Sequence, residues 1–289
     1  MTFNPNANVG GNTARKRGGG AVAGGVGIAG LGGLAILLLQ LFTGGDFSSL
    51  LGGGGGTAPQ GQETQVANCE TGADANASDE CRIAATQLVL DGFWGRQLEG
   101  YRAPKLVIVD GQTSTACGTA SNATGPFYCP PEESIYMDPT FFGILRQQFG
   151  AEAGPLSQMY VLAHEWGHHI QRITGVMDRY PSNGTGPESN GVRVELQADC
   201  FAGAWVGSAA KEKDENGVAF LKEPTEAQLR DALEAAGTVG DDHIQGQSGQ
   251  VNPETWTHGS SEQRQRWFAT GYKSGVGACD TFRVSGADL

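Results

Sequence analysis

The sequence predicts an α+β fold, a helix-rich domain over residues 66–289 preceded by one transmembrane helix. Three observations predict it. A long charge-free run follows the cations Arg15, Lys16 and Arg17. Two short apolar β-type runs stand at residues 105–110 and 134–138. Several longer stretches carry apolar residues at helical spacing.

Taken in order, residues 1–17 read as a cytoplasmic N-terminal tail. Residues 18–39 contain no charge and no proline. Twenty-two residues at about 1.5 Å each can span a bilayer core of about 30 Å, so residues 18–42 read as an anchor. The flanking cations stay inside, giving a single pass with the bulk of the chain outside the cytoplasm. The run exceeds the apolar region of a signal peptide, and no small-x-small site follows Gln40, so the anchor reads as uncleaved. Residues 43–65, with Gly44, Gly45 and Gly52 to Gly56, read as a flexible tether. Residues 66–289 are long enough for one core and show no internal repeat.

Within that domain, residues 79–98 read as a helix with Ile83, Leu88, Phe93 or Trp94, and Leu98 as apolar anchors. Residues 105–110 and 134–138 read as strands on either side of a loop rich in Gly, Ser and Cys. Residues 139–149, 156–174, 190–211, 225–236 and 260–273 read as helices, the last opened by Ser260 as cap.

The net charge of −12 excludes a nucleic-acid binder, which needs a basic face, and disfavours lying flat on anionic lipid. All six cysteines, Cys69, Cys81, Cys117, Cys129, Cys200 and Cys279, follow the apolar run, and none forms a Cys-x-x-Cys pair. An even number outside the cytoplasm points to disulfides. Fifteen pairings exist; proximity suggests Cys69 with Cys81 and Cys117 with Cys129, leaving Cys200 with Cys279.

The most informative stretch is His164-Glu165-Trp166-Gly167-His168. Residues four apart lie on one face of a helix, so both imidazoles can reach one zinc ion. Glu165 beside them suits a general base acting on a zinc-activated water. A catalytic zinc needs a third protein ligand, and position 174 is Thr174, which argues against a third histidine six residues on. Downstream, Glu195 and Asp199 stand four apart on a helix otherwise flanked by Leu196, Ala198, Phe201, Ala202 and Trp205. Acids on such a helix need partners. Glu195 as third ligand, with Asp199 accepting the outer N–H of a liganding histidine, satisfies both. His169 points about 100° away around the helix and reads as a supporting or core residue. His243 has no partner at ligand spacing and is left out of the site.

His164-Glu165-x-x-His168 followed by Glu195-x-x-x-Asp199 resembles a gluzincin signature, in which the downstream Glu ligates zinc and the Asp orients a ligand histidine. The order of segments resembles the bacterial neutral zinc metallopeptidase family, the YpfJ-like group. That order is Phe127-Tyr128-Cys129-Pro130, Ile135-Tyr136-Met137-Asp138, Val161 to Gln171, Glu195 to Cys200, and Thr257-His258-Gly259-Ser260 with Arg264 beyond it. The resemblance implies a zincin-like metallopeptidase that hydrolyses peptide bonds of a peptide or protein substrate. It also implies an extended substrate lying against an edge strand, for which Ile135-Tyr136-Met137 is the candidate. The segment around His258 is similar to one near the C-terminus of prenyl-protease-type membrane gluzincins, implying that His258 stabilises an oxyanion, with Arg264 close by. Two other readings stay open: an inactive, metal-stabilised module tethered to the membrane, and a metallohydrolase of a cell-wall amide.

Overall fold

The structure, a computed structural model, describes residues 1–18, 63–148, 152–182, 184–247 and 249–289. The expected anchor and most of the expected tether fall outside them, and no helix among the described residues is long and apolar enough to cross a membrane.

The chain runs through β1 (Arg15–Gly18), β2 (Glu63–Gln65), α1 (Gly72–Ala77), α2 (Asp79–Gln97), β3 (Lys105–Asp110), β4 (Gln112–Thr115), β5 (Gly118–Ser121), β6 (Phe127–Cys129) and β7 (Ser134–Met137). Then come α3 (Phe141–Gln148), α4 (Pro155–Ile173), α5 (Val176–Arg179), α6 (Asn190–Ala209), α7 (Glu226–Thr238), α8 (Asp241–Gly246) and α9 (Ser261–Ser274).

Five strands form one mixed sheet in the order β2-β1-β3-β7-β6. The four-residue run Leu106-Val107-Ile108-Val109 is apolar throughout because β3 lies inside this sheet with both faces covered. Alternate side chains point to opposite faces. Leu106 and Ile108 enter the main core beside α2 and α4, while Val107 and Val109 join Tyr136 and Phe127 in a second cluster on the other face. β7 pairs in parallel with β3 and antiparallel with β6. Ile135-Tyr136-Met137, the expected edge strand, is therefore interior. The edge on that side is β6, because the turn through Pro130–Glu132 folds it back along β7.

Residues 1–17 are not a separate tail. β1 pairs in parallel with β3 and antiparallel with β2, with Arg17 opposite both Val109 and Glu63. Met1, Phe3, Ala7, Val9 and Ala14 are buried in the main core. Burial of that apolar surface holds the segment in place, so residues 1–18 and the domain beyond residue 63 form one folded body. A cytoplasmic tail on the far side of a bilayer would require β1 to leave this sheet.

The cysteines pair as Cys69–Cys81, Cys117–Cys129 and Cys200–Cys279. The last bond ties α6 to the C-terminal segment.

Three helices build the platform for the site. α4 starts with Pro155 in its first turn, where a missing N–H costs nothing, and stops at Gly175, whose φ of 73° is open to glycine. α6 is capped by Ser189, which accepts from Val192 N at 3.3 Å, and α9 by a reciprocal Ser260–Gln263 capping box. α4 and α6 approach closely at Gly167, where a Cβ would stand 3.0 Å from Ala198 Cα. α6 and α9 cross at Gly271, where a Cβ would fall 1.8 Å from the Cys200 carbonyl oxygen. These two contacts set how near the side chains of the three helices come.

Candidate metal centre

His164 and His168 lie one turn apart on α4, and Glu195 faces them from the first half of α6. All three are buried. The Nε2 atoms of the two histidines are 3.1 Å apart, His164 Nε2 is 3.2 Å from Glu195 Oε2, and His168 Nε2 is 3.4 Å from Glu195 Oε1. Zinc bonds of about 2.0–2.1 Å at tetrahedral angles put ligand atoms about 3.3 Å apart, so this triangle has the size of a zinc ligand set. Glu195 Oε1 is a buried carboxylate oxygen with no hydrogen-bond partner among the described residues. Two imidazoles and one carboxylate also make a donor set that suits zinc. Among the described residues, these three form the one cluster of potential metal ligands.

Each histidine is held from behind. His164 Nδ1 is 2.8 Å from Asp199 Oδ1, one turn beyond Glu195 on α6. Asp199 also accepts from Tyr160 Oη at 2.5 Å and from Arg264 through Nε at 2.8 Å and Nη2 at 3.0 Å. Arg264 comes from α9 and neutralises a carboxylate that has no exposure to solvent. His168 Nδ1 meets Gln171 Oε1 at 2.9 Å.

Burial and charge tune these groups unequally in the metal-free protein. Burial would lower the His164 pKa, but the Asp199 and Glu195 carboxylates outweigh it and raise it to about 10. For His168 burial prevails over Glu195, bringing it down to about 4. Burial would raise Glu195 and Asp199; His168 and His164 beside the first, and Arg264 and His164 beside the second, hold both below the usual carboxylate range. Glu165 is pushed up to about 7 by burial and the Glu195 charge, against the pull of His164 and of the Tyr128 backbone N–H.

One cavity of about 480 Å³ opens onto the centre. His164, Glu165, His168, Glu195, His258 and Arg264 line it. The rest of the wall is largely apolar and includes Phe141, Leu145, Val161, Met177, Val194 and Val239. β6 contributes Phe127 and Tyr128, so the sheet edge and the centre share one cleft.

His258 sits in this cleft, buried, in the turn before α9. Asp241, at the start of α8, accepts the backbone N–H groups of Thr257, His258 and Gly259 through Oδ2, at 2.7, 2.7 and 3.0 Å. Its Oδ1 lies 3.2 Å from His258 Nδ1. Burial would lower the His258 pKa, yet the hydrogen bond to Asp241 and the Glu195 charge raise it above its ordinary value.

The structure thus brings together His164, Glu165, His168, Glu195, Asp199 and His258. Arg264 acts through Asp199 rather than alone. His169 is a supporting residue: Nδ1 meets Tyr128 Oη at 3.1 Å and Nε2 meets the Arg102 carbonyl oxygen at 2.8 Å, tying α4 to β6. His243 contacts Gln247 on an exposed helix end and takes no part. Tyr160, Gln171 and Asp241 join the site beyond the residues that the sequence pattern marks. Tyr160 lies four residues before His164 and Gln171 three after His168, spacings that signal a shared helix face. Asp241 is 17 residues from His258 on another element, and no local pattern announces it.

In this α+β fold one helix carries His164 and His168 and a second supplies Glu195, the arrangement of a candidate zinc-binding centre. The chain belongs to the family described as "Putative neutral zinc metallopeptidase", whose profile matches residues 5–282. Zinc is therefore its cofactor. YpfJ of Escherichia coli strain K12 is 38% identical over 288 residues, covering 94% of each chain. Uncharacterized protein Rv2575 of Mycobacterium tuberculosis is 48% identical over 227 residues, 78% of this chain and 77% of that one. No solved structure matches.

Proposed function

We propose that the protein is a zinc-dependent endopeptidase that cleaves peptide bonds of an extended peptide or protein segment. The observation that carries this reading is the buried triangle of His164, His168 and Glu195, with Glu165 in the same cleft beside β6, the end strand of the sheet. When bound there, zinc supplies a Lewis acid that activates water and polarises a carbonyl.

The chain's own residues do the rest. His164, His168 and Glu195 hold the ion, and Asp199 keeps His164 turned toward it. Glu165, buried in the same cleft beside the ligands, takes a proton from the attacking water and passes it to the leaving amine. His258, held by Asp241, donates to the oxygen that gains charge in the transition state, a contact worth roughly 3–4 kcal/mol where it is made. The outer edge of β6 offers backbone groups to a substrate strand, and the apolar wall favours substrates with apolar side chains near the cut. A site of action outside the cytoplasm is supported by the three disulfides.

Glu165→Gln is the test. The variant is expected to bind zinc like the parent and lose turnover of a casein-type substrate. Turnover at the parental rate would refute the general-base assignment. Chelator-sensitive release of new N-termini by the parent separates this reading from a non-catalytic module. Release of cell-wall fragments without protein cleavage would favour an amidase.

A further inference from the structure

We propose that Gln171 presets the tautomer of His168 and so sets the zinc affinity of the centre. This rests on the zinc centre described above. Gln171 lies on α4 three residues past His168, with 0% exposure, in the seam between α4 and α6. Its Nε2 donates to the Val194 carbonyl oxygen at 2.7 Å and to Gln197 Oε1 at 3.2 Å. Two acceptors on that side decide which way the amide points, because the reversed amide would set oxygen against the Val194 carbonyl. Gln171 Oε1 is therefore the atom that faces His168 Nδ1, at 2.9 Å. An oxygen at that distance requires the proton to be on Nδ1. Nε2 then carries the lone pair, and Nε2 is the nitrogen turned toward His164 and Glu195.

A neutral imidazole in water prefers the opposite tautomer, so a centre without this amide would have to shift the proton each time it took up metal. The chain that fixes the amide continues outward. Gln197 Nε2 donates to the Cys279 carbonyl oxygen at 2.8 Å, which keeps Gln197 Oε1 turned toward Gln171. Cys279 is bonded to Cys200 on α6.

The choice of an amide over a carboxylate follows from charge. Asp199 already stands behind His164, and Arg264 balances it. A second buried carboxylate behind His168 would face the Val194 carbonyl and add an anion with no cation beside it. Gln171 orients the ligand without adding charge. Because Val194 precedes Glu195, the same side chain also ties together the two helices that supply the ligands.

The experiment is zinc competition titration of the parent, Gln171→Leu and Gln197→Leu, with ¹⁵N-histidine spectra of the parent. Gln171→Leu is expected to weaken zinc binding about 10- to 100-fold. Gln197→Leu, which leaves Oε1 of Gln171 on His168, is expected to weaken it less than about threefold, well under that range. Equal losses in both variants would show general loosening and overturn the proposal, as would Gln171→Leu binding within about twofold of the parent, also below that range. The spectra decide independently of whether a variant folds. Metal-free parent protein should show His168 protonated on Nδ1, and protonation on Nε2 would overturn the inference. A parent that binds no zinc would instead refute the centre itself.

Discussion

Replacing Arg264 with Met tests how the centre is held together. Arg264 and Asp199 form a two-point ion pair at 2.8 and 3.0 Å, with side-chain exposures of 4% and 0%. Removing one partner of a buried pair costs about 3–5 kcal/mol, with His164 and Tyr160 left as the remaining partners of Asp199. Methionine fills much of the same volume, so the loss is chiefly electrostatic, plus the bond from Arg264 Nη1 to the Val239 carbonyl oxygen at 3.1 Å. For a domain of this size each kcal/mol moves Tm by roughly 2–4 °C, so a drop of roughly 6–20 °C is expected. Calorimetry of the zinc-free proteins at pH 7 measures it without a contribution from metal release. The pH dependence carries a further check. Asp199 is held below its ordinary pKa in the folded protein, so its contribution is present above the unfolded value and is lost as pH falls through the folded one. Without Arg264 its pKa climbs and the carboxyl protonates more readily. The gap between parent and variant should therefore narrow as pH falls toward about 3, below the unfolded carboxyl pKa. A Tm drop under about 2 °C, or a gap that widens on acidification, would refute this account.

Two further outcomes follow from the geometry. In the metal-free protein His164 is held up to about 10, Glu165 to about 7 and His168 down to about 4, so above about pH 8, where Glu165 is already ionised, zinc displaces one proton, from His164. Apparent zinc affinity should rise about tenfold per pH unit between about pH 8 and 9; isothermal titration in buffers of different ionisation enthalpy counts the proton there, and a count of zero would contradict the His164 assignment. Gly271→Ala should destabilise more than Gly167→Ala, because its Cβ would stand 1.8 Å from the rigid Cys200 carbonyl oxygen rather than 3.0 Å from Ala198 Cα. Overpacking costs about 1–3 kcal/mol or more, and urea melts giving the reverse order would contradict the α6–α9 packing.

How much was legible in sequence depended on sequence distance. His164, Glu165 and His168 share one helical turn, and Glu195 and Asp199 share another, so helical period alone displays each group. The helices at 79–98, 156–174, 190–211, 225–236 and 260–273 announce themselves by apolar spacing and caps, and lie within three residues of the observed bounds. The short strands β1, β2, β4, β5 and β6 do not, since three or four residues carry too little period to stand out. β1 departs furthest from its sequence pattern. Arg15, Lys16 and Arg17 look like a membrane-flanking cluster, yet they pair with β3 and β2; Arg17 meets Glu63, and its guanidinium lies 5.6 Å from the Tyr136 ring centroid.

The sequence by itself displayed the candidate ligands His164, His168 and Glu195, the proposed base Glu165 and the acid behind His164, because metal chemistry constrains residue type and helix geometry constrains spacing. Tertiary structure alone decided which strand ends the sheet beside the candidate metal centre, that the first eighteen residues join the sheet, and that Arg264, Asp241 and Gln171 stand behind the site. Those relations join elements tens of residues apart, and they come from packing, from charge neutralised in a dry interior and from close backbone approach at glycines. None of these leaves a periodic trace along the chain.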